Sequence, residues 1–188
     1  MHPDLSSFIQ QLEAVKADGT AFVAGLSHVQ FNWRPAPERW SIGECLDHLN
    51  VSMTVTLPAF DRAIAEGRAR GLVGAGPFRY GLLSRLMIWS MEPPPRIKNK
   101  RPKAFYAPRG EHAAQRVLPE FLRVRDEIAA RVRRADGLNL ARVRITSPAS
   151  RWLRMPLGAY FAFILAHERR HLWQARQVAA APGFPGAG

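Results

Sequence analysis

The sequence has few cysteines, few acidic residues and no long apolar run. Cys45 is the only cysteine among 188 residues, which excludes an internal disulfide and predicts a reducing, cytoplasmic location. The longest nearly apolar run, Met155–Ala166, is shorter than the about 20 residues that cross a bilayer. No secretory leader pattern opens the chain. These absences predict a protein without membrane association.

Acidic residues are outnumbered by basic ones. The 15 Asp and Glu stand against 27 Lys and Arg, a net charge of +12, and residues 96–154 hold 16 of the basic residues but only five of the acids. Charge of this kind suits nucleic acid or an anionic ligand. Because no nucleic-acid motif accompanies it, we interpret it as a solvated arginine-rich surface, with a nucleic-acid-binding protein as the alternative.

The apolar residues, at 47% of the chain, follow a helical rather than a strand period. They predict four long helices, near Asp4–Val29, Ser41–Arg70, Glu111–Ala135 and Pro156–Val178. No set of several segments shows the alternation of apolar and polar residues that is typical of the strands of a sheet. The sequence therefore predicts an all-α fold, an antiparallel four-helix bundle in one domain over residues 1–180, with residues 181–188 as a disordered tail.

Several residues are typical of helix ends. Asp4 is expected to cap the first helix, the S-x-x-E pattern of Ser41 to Glu44 is a capping box, and Pro156 suits the first residue of the last helix. Gly137 is expected to end the third long helix. The glycine- and proline-rich segment Gly71–Gly110 predicts a long crossover that contains a short helix near Phe78–Met91 and a basic stretch, Arg96–Lys103.

Three of the six histidines stand out as metal ligands. His167 and His171 are four residues apart, so they share one face of the last helix and can bind one cation with little rearrangement. His48 lies on a core-facing stripe of the second long helix and would supply a third nitrogen. A histidine on an apolar face is also a common core residue, so this alternative stays open. His2, His28 and His112 are interpreted as surface residues.

The pair also belongs to the pattern H-E-R-R-H, which matches the H-E-x-x-H motif of zinc proteases. Those enzymes take a third ligand downstream of the motif, but no Asp, Glu or His follows His171 in this chain. The sequence therefore does not favour a metalloprotease.

Neighbouring residues suggest further roles at this site. Glu44, one turn before His48, is either the partner in the capping box or a weak candidate for a catalytic base, and we favour the cap. Cys45, Ser52 and Gln174 are candidates for the layer around the ligands or for the pocket wall. We interpret Trp40 and Trp173 as core anchors. Arg169 and Arg170 are expected to pair with acids of neighbouring helices or to line the pocket.

Two blocks of sequence resemble the DinB/YfiT-like superfamily of metal-dependent enzymes. The first contains N-W-R-P at 32–35, W-S-I-G-E at 40–44 and D-H-L at 47–49; the second contains L-G at 157–158 and H-E-R-R-H-L-W-Q at 167–174. The resemblance implies a helix bundle with a divalent metal, zinc or nickel, bound by His48, His167 and His171. Some relatives use low-molecular-weight thiols such as bacillithiol or mycothiol, and members often form dimers, so a homodimer is possible.

Three functions follow as hypotheses. The first is a metal-dependent hydrolase or thiol S-transferase that acts on a small-molecule substrate, with water or a thiolate activated at the three-histidine site. The second is a non-catalytic bundle that binds a metal or a small ligand. The third is a nucleic-acid-binding protein that uses the basic region 96–154.

Overall fold

The computed structural model describes residues 1–96 and 110–186. Most of the predicted basic stretch after Arg96 lies outside these residues. Over the described part, helices dominate, in chain order α1 (Pro3–Val23), α2 (His28–Asn32), α3 (Ile42–Ala69), α4 (Leu82–Met91), α5 (Ala114–Arg134) and α6 (Leu157–Ala179), with strands β1 (Arg144–Thr146) and β2 (Arg154–Pro156) before α6. None of the described helices is long and apolar enough to cross a membrane.

The all-α bundle with a long crossover is confirmed. Each of its four long helices packs against two others: α1 contacts α5, α5 contacts α3, α3 contacts α6, and α6 contacts α1. Pairs of side-chain contacts show whether two neighbouring helices run in the same or in opposite directions. Lys16 contacts Asp126 while the His2 amide bonds to Asp136, so α1 and α5 are antiparallel. Gln11 contacts Arg169 and Asp18 contacts Arg176, so α1 and α6 run parallel.

The pair α3 and α5 is also parallel. Asn50 bonds to the carbonyl of Val117, and Asp61, further along α3, bonds to Arg131. The antiparallel arrangement predicted from the sequence thus describes two of the four neighbouring pairs, α1 with α5 and α3 with α6. The long connection between α3 and α5 is the physical reason, because only a long connection lets consecutive long helices run in the same direction.

The first predicted helix is two helices. Gly25, with φ of +83°, interrupts the chain after α1, and Ser27 with Gln30 forms a capping box that begins α2. The S-x-x-Q pattern was the overlooked sequence signal. The break places Phe31 in the core and leaves Val29 63% exposed. The cap of α1 is also different from the prediction: the His2 ring accepts the amide of Asp4, and Asp4 lies in the first turn.

A β-hairpin precedes the last helix, which corrects the expectation of a fold without a sheet. β1 and β2 are antiparallel, with Ile145 opposite Met155, and both side chains are buried. Each strand has three residues, too few to show an alternating pattern in the sequence. Pro156 is the N-cap of α6 rather than its first residue, and the Leu157 amide donates to the carbonyl of Val143.

Two further ends follow the predictions closely. α3 begins after Ser41 with both bonds of the capping box, and Gly137, with φ of +80°, lies just beyond α5. Part of the predicted tail lies against α2. Phe184 packs edge-on against Trp33 at 5.6 Å between ring centroids, and the Gln30 side chain donates to the carbonyl of Pro185.

Gly19 of α1 lies where α5 packs closely against the helix, which leaves no space for a side chain. A Cβ atom at this position would lie 2.8 Å from Cε1 of Phe121, a ring that is fully buried and covered by the Arg125 guanidinium 3.6 Å from its centroid. The ring therefore has little room to move.

We expect Gly19→Ala to destabilise the protein by about 1–3 kcal/mol through overpacking, more than the at most about 1 kcal/mol that alanine gains in helix propensity. Urea unfolding measures the change. The exposed position Ala17 supplies the control, since Ala17→Gly reports propensity alone. An increase in stability for Gly19→Ala would contradict the packing argument.

Candidate metal centre

The three predicted histidines converge on one point of the bundle. His48 comes from α3 and His167 and His171 come from α6, and one ring nitrogen from each lies within 4.8 Å of the other two. Because α3 and α6 are antiparallel neighbours, a residue in the first part of α3 meets residues at and beyond the middle of α6. His48 and His171 are 2% and 8% exposed, and the ring centroids of His167 and His171 are 4.6 Å apart.

The environment keeps the His167 ring neutral. Burial, assisted by His48 and by the positive charges of Arg170 and Arg125, lowers the pKa of His167 to about 3. Its Nδ1 atom is inaccessible to solvent and has no hydrogen-bond partner in the described part of the chain. A neutral imidazole with an available lone pair is the form that binds a cation.

Trp40 forms one wall of the cluster. Its ring lies 4.9 Å from His48 and stacks on His171 at 5.7 Å, both between centroids, and the residue is 3% exposed. The prediction of a buried anchor is confirmed, but its contact with the histidines could not be read from the sequence. This wall excludes water from one side of the cluster and so strengthens electrostatic interactions there.

Ser52 lies where the sequence placed it. Its hydroxyl is 3.3 Å from Nε2 of His48, and Thr56 donates to the backbone carbonyl of Ser52 one turn later. A hydrogen bond to one ring nitrogen fixes the orientation of a metal-binding imidazole and leaves the other nitrogen to face the metal. The contact of Ser52 with His48 is of this kind, and its role at a metal site stays a prediction.

Glu44 caps the N-terminus of α3. Its carboxylate accepts the Ser41 amide at 2.9 Å and a two-pronged bond from Arg34, at 2.9 and 2.8 Å, and its side chain is 1% exposed. The cap predicted for Glu44 is confirmed. The contact of Arg34 with Glu44 was not predicted, although Arg34 lies in the N-W-R-P segment at 32–35.

The engagement of Glu44 leads to a prediction about metal binding. Glu44→Ala should weaken folding by about 1–2 kcal/mol, because a cap bond is lost and Arg34 loses its partner. The metal content of the folded protein should stay at the wild-type value, since no bond joins Glu44 to a histidine in the described residues. Zinc stoichiometry and urea unfolding of the same sample separate the two effects. A loss of zinc in the folded variant would restore Glu44 as part of the centre.

The other candidates lie at different places. Cys45 is fully buried among apolar residues and does not belong to the histidine group. Gln174 is half-buried one turn after His171, and its role at the pocket stays a prediction. Arg169 forms an ion pair with Glu92, and Arg170 donates to the carbonyl of Ser90, which ties α6 to the end of α4.

The remaining histidines lie outside the cluster. His28 is exposed, as predicted. His2 and His112 are half-buried, which corrects their interpretation as surface residues. His2 caps α1 and packs on Phe78, and backbone bonds join His112 to the Asn32 side chain.

The glutamate of the H-E-R-R-H pattern is engaged elsewhere. Glu168 and Arg125 of α5 are both 0% exposed, with Nη2 of the arginine 2.6 and 2.9 Å from the two carboxylate oxygens. Burial raises the pKa of Glu168, and the adjacent guanidinium opposes that rise. This pairing removes the proton acceptor that a zinc protease needs. The sequence offered one weak signal for it, an arginine on the apolar stripe of α5.

Comparisons with known proteins agree with the geometry. No curated protein and no solved structure is significantly similar to the chain. A family model described as the DinB superfamily matches residues 11–175, a range that includes all three histidines, the whole of α3 and α5, and the greater part of α1 and α6. The three histidines could hold a metal ion, and the chain belongs to the DinB superfamily.

Proposed function

We propose that this protein is a metal-dependent enzyme whose divalent cation is bound by His48, His167 and His171. The convergence of their ring nitrogens within 4.8 Å is the observation that carries the proposal. Two nitrogens on one zinc ion, each at about 2.0–2.1 Å, are at most about 4.2 Å apart, so small side-chain adjustments suffice. Imidazole ligands suit zinc and nickel, the two metals that we propose.

A cation held by three neutral ligands keeps its full charge and acidifies a water or thiol that binds beside it. Among the described residues, Cys45 lies in the apolar core and the Ser52 hydroxyl contacts Nε2 of His48, so we propose neither as the nucleophile. The nucleophile therefore comes from solution. We propose a hydrolase or a low-molecular-weight-thiol S-transferase that acts on a small molecule, and the net charge of +12 favours an anionic thiol or substrate.

The first test is elemental analysis of protein purified without an immobilised-metal column. We expect one zinc or nickel per chain. Less than about 0.1 equivalent, with none taken up from added zinc, would overturn the metal site.

The second test addresses the reaction. Ester, amide and electrophile substrates are assayed with and without bacillithiol, mycothiol or glutathione, and His171→Ala serves as the control that lacks a ligand. We expect turnover that requires His171. Turnover that survives in this variant would show that the centre does not carry out the reaction.

A non-catalytic metal-binding bundle is the second candidate, and one observation favours it. Glu44, one turn before His48, and Glu168, next to His167, are both engaged by arginines, which leaves neither of these two carboxylates to transfer a proton. Stoichiometric metal without turnover for any substrate and thiol would select this candidate.

The basic region gives a prediction about nucleic acid. Several of its arginines form ion pairs within the protein, which lowers the positive charge that the region offers to phosphates: Arg123 with Glu120, Arg125 with Glu168, Arg131 with Asp61 and Glu127, and Arg134 with Asp61. We expect duplex DNA to bind with a Kd weaker than about 1 µM at about 0.15 M salt. Fluorescence anisotropy over a salt series measures it, and submicromolar binding at that salt would contradict the prediction.

A further inference from the structure

We propose that Asn50, Arg125 and Glu168 form a positioning network that holds the two ligand-bearing helices at the separation the metal requires. Asn50 follows His48 by two residues on α3, and Glu168 follows His167 directly on α6. Arg125 reaches both from α5. The inference rests on the proposed metal site and concerns residues that do not touch the metal.

The network is continuous from α3 to α6. Nη1 of Arg125 donates to Oδ1 of Asn50 at 2.8 Å, and its Nη2 and Nε donate to Glu168 at 2.6, 2.9 and 3.2 Å. The amide nitrogen of Asn50 donates to the carbonyl of Val117 at 3.0 Å. One rigid guanidinium plane thus spans the gap between the backbones that carry His48 and His167.

The central arginine is held from two further directions. Its Nη1 also donates to the carbonyl of Phe121 at 3.1 Å, and its guanidinium lies 3.6 Å from the centroid of the Phe121 ring. Every nitrogen of the group therefore donates at least one bond. A buried polar network with its members satisfied is rigid and selects one arrangement.

Net stability does not account for such a pair. Both charges lose their hydration, with 0% of either side chain exposed, and apolar replacements of buried ion pairs are often neutral or stabilising. The pair fixes the distance and the angle between α5 and α6, because an arginine and a carboxylate form two parallel hydrogen bonds. Leucine and methionine in the same places would not fix this geometry. Metal affinity should therefore depend on the network more than folding does.

The test compares Arg125→Met/Glu168→Leu with the wild-type protein. We expect an unchanged helical circular dichroism spectrum, a urea midpoint close to wild type, and an affinity for zinc that falls about 10–100-fold, the loss typical of outer partners of metal ligands. Competition with a chromophoric chelator measures the affinity. The visible spectrum of bound Co²⁺ should also change, because the ligand geometry relaxes.

The matched control is Arg131→Met/Asp61→Leu. This variant removes a partly exposed ion pair of α5 outside the network, in which Arg131 lies 2.8 Å from Asp61 of α3, so its zinc affinity should equal that of the wild type. If the first double variant does not fold, Asn50→Ala decides the matter, because it cuts the link to α3 and keeps the ion pair. We expect Asn50→Ala to bind zinc about 10-fold more weakly.

Wild-type affinity and an unchanged Co²⁺ spectrum in a folded network variant would overturn the inference while leaving the metal site intact. An equal loss of affinity in the control would also overturn it, because the effect would then not be specific to the ion pair that joins α5 to α6. Absence of zinc from the wild-type protein would instead reject the proposed function, so the two failures are distinguishable.

Discussion

His171→Ala is expected to lower the affinity for zinc by more than about 100-fold, beyond the about 10–100-fold typical for loss of a residue that only orients a ligand. With this ring removed, two imidazoles remain, fewer than the three protein ligands typical of catalytic zinc sites. The expectation holds equally for His48 and His167, because the nitrogens of all three lie within 4.8 Å. Chelator competition gives the affinity.

A second measurement follows from linkage. Zinc at about 100 times its Kd should stabilise the wild-type fold by about 2.7 kcal/mol, and the same concentration should leave His171→Ala almost unchanged. His28→Ala is the matched control, because His28 is exposed on α2 and outside the cluster. Unchanged zinc affinity in His171→Ala would show that the ligands are other residues.

Phe60→Ala is expected to have the largest effect on folding, a loss of about 3–5 kcal/mol in the free energy of unfolding. Phe60 is fully buried on α3, stacked on Phe161 at 5.0 Å and edge-on to Tyr160 at 5.6 Å between centroids. Truncation leaves a cavity between α3 and α6 that these rings cannot fill. At about 2–4 °C per kcal/mol for a domain of this size, Tm should fall by roughly 6–20 °C in a calorimetric scan.

Phe60 belongs to a different cluster of the core from the one that contains Trp40, whose ring contacts His48 and His171. Zinc stoichiometry of the folded Phe60→Ala protein should therefore equal that of the wild type. Trp152→Ala is the aromatic control, since Trp152 is 81% exposed, and its stability should change by no more than about 0.5 kcal/mol. A loss for Phe60→Ala no larger than this would contradict the packing argument.

Features that depend on short stretches of chain were predictable. The spacing of His167 and His171 places both on one helix face, and the capping box at Ser41 and Glu44 marks the start of α3 to the residue. Both depend on backbone geometry within one or two turns. The all-α class followed from the same helical period, and the family resemblance correctly selected His48 as the third member of the cluster.

Features that join distant parts of the chain required the tertiary structure. Arg125 and Glu168 are 43 residues apart, and nothing in either helix alone shows that the two side chains meet. The parallel direction of α3 and α5 depends on the path of the crossover. The hairpin of β1 and β2 consists of strands that are too short to show an alternating pattern in the sequence. Local periodicity determined the helices and the histidine pair of this protein, whereas packing between helices decided which charged residues are buried together and so what surrounds the three histidines.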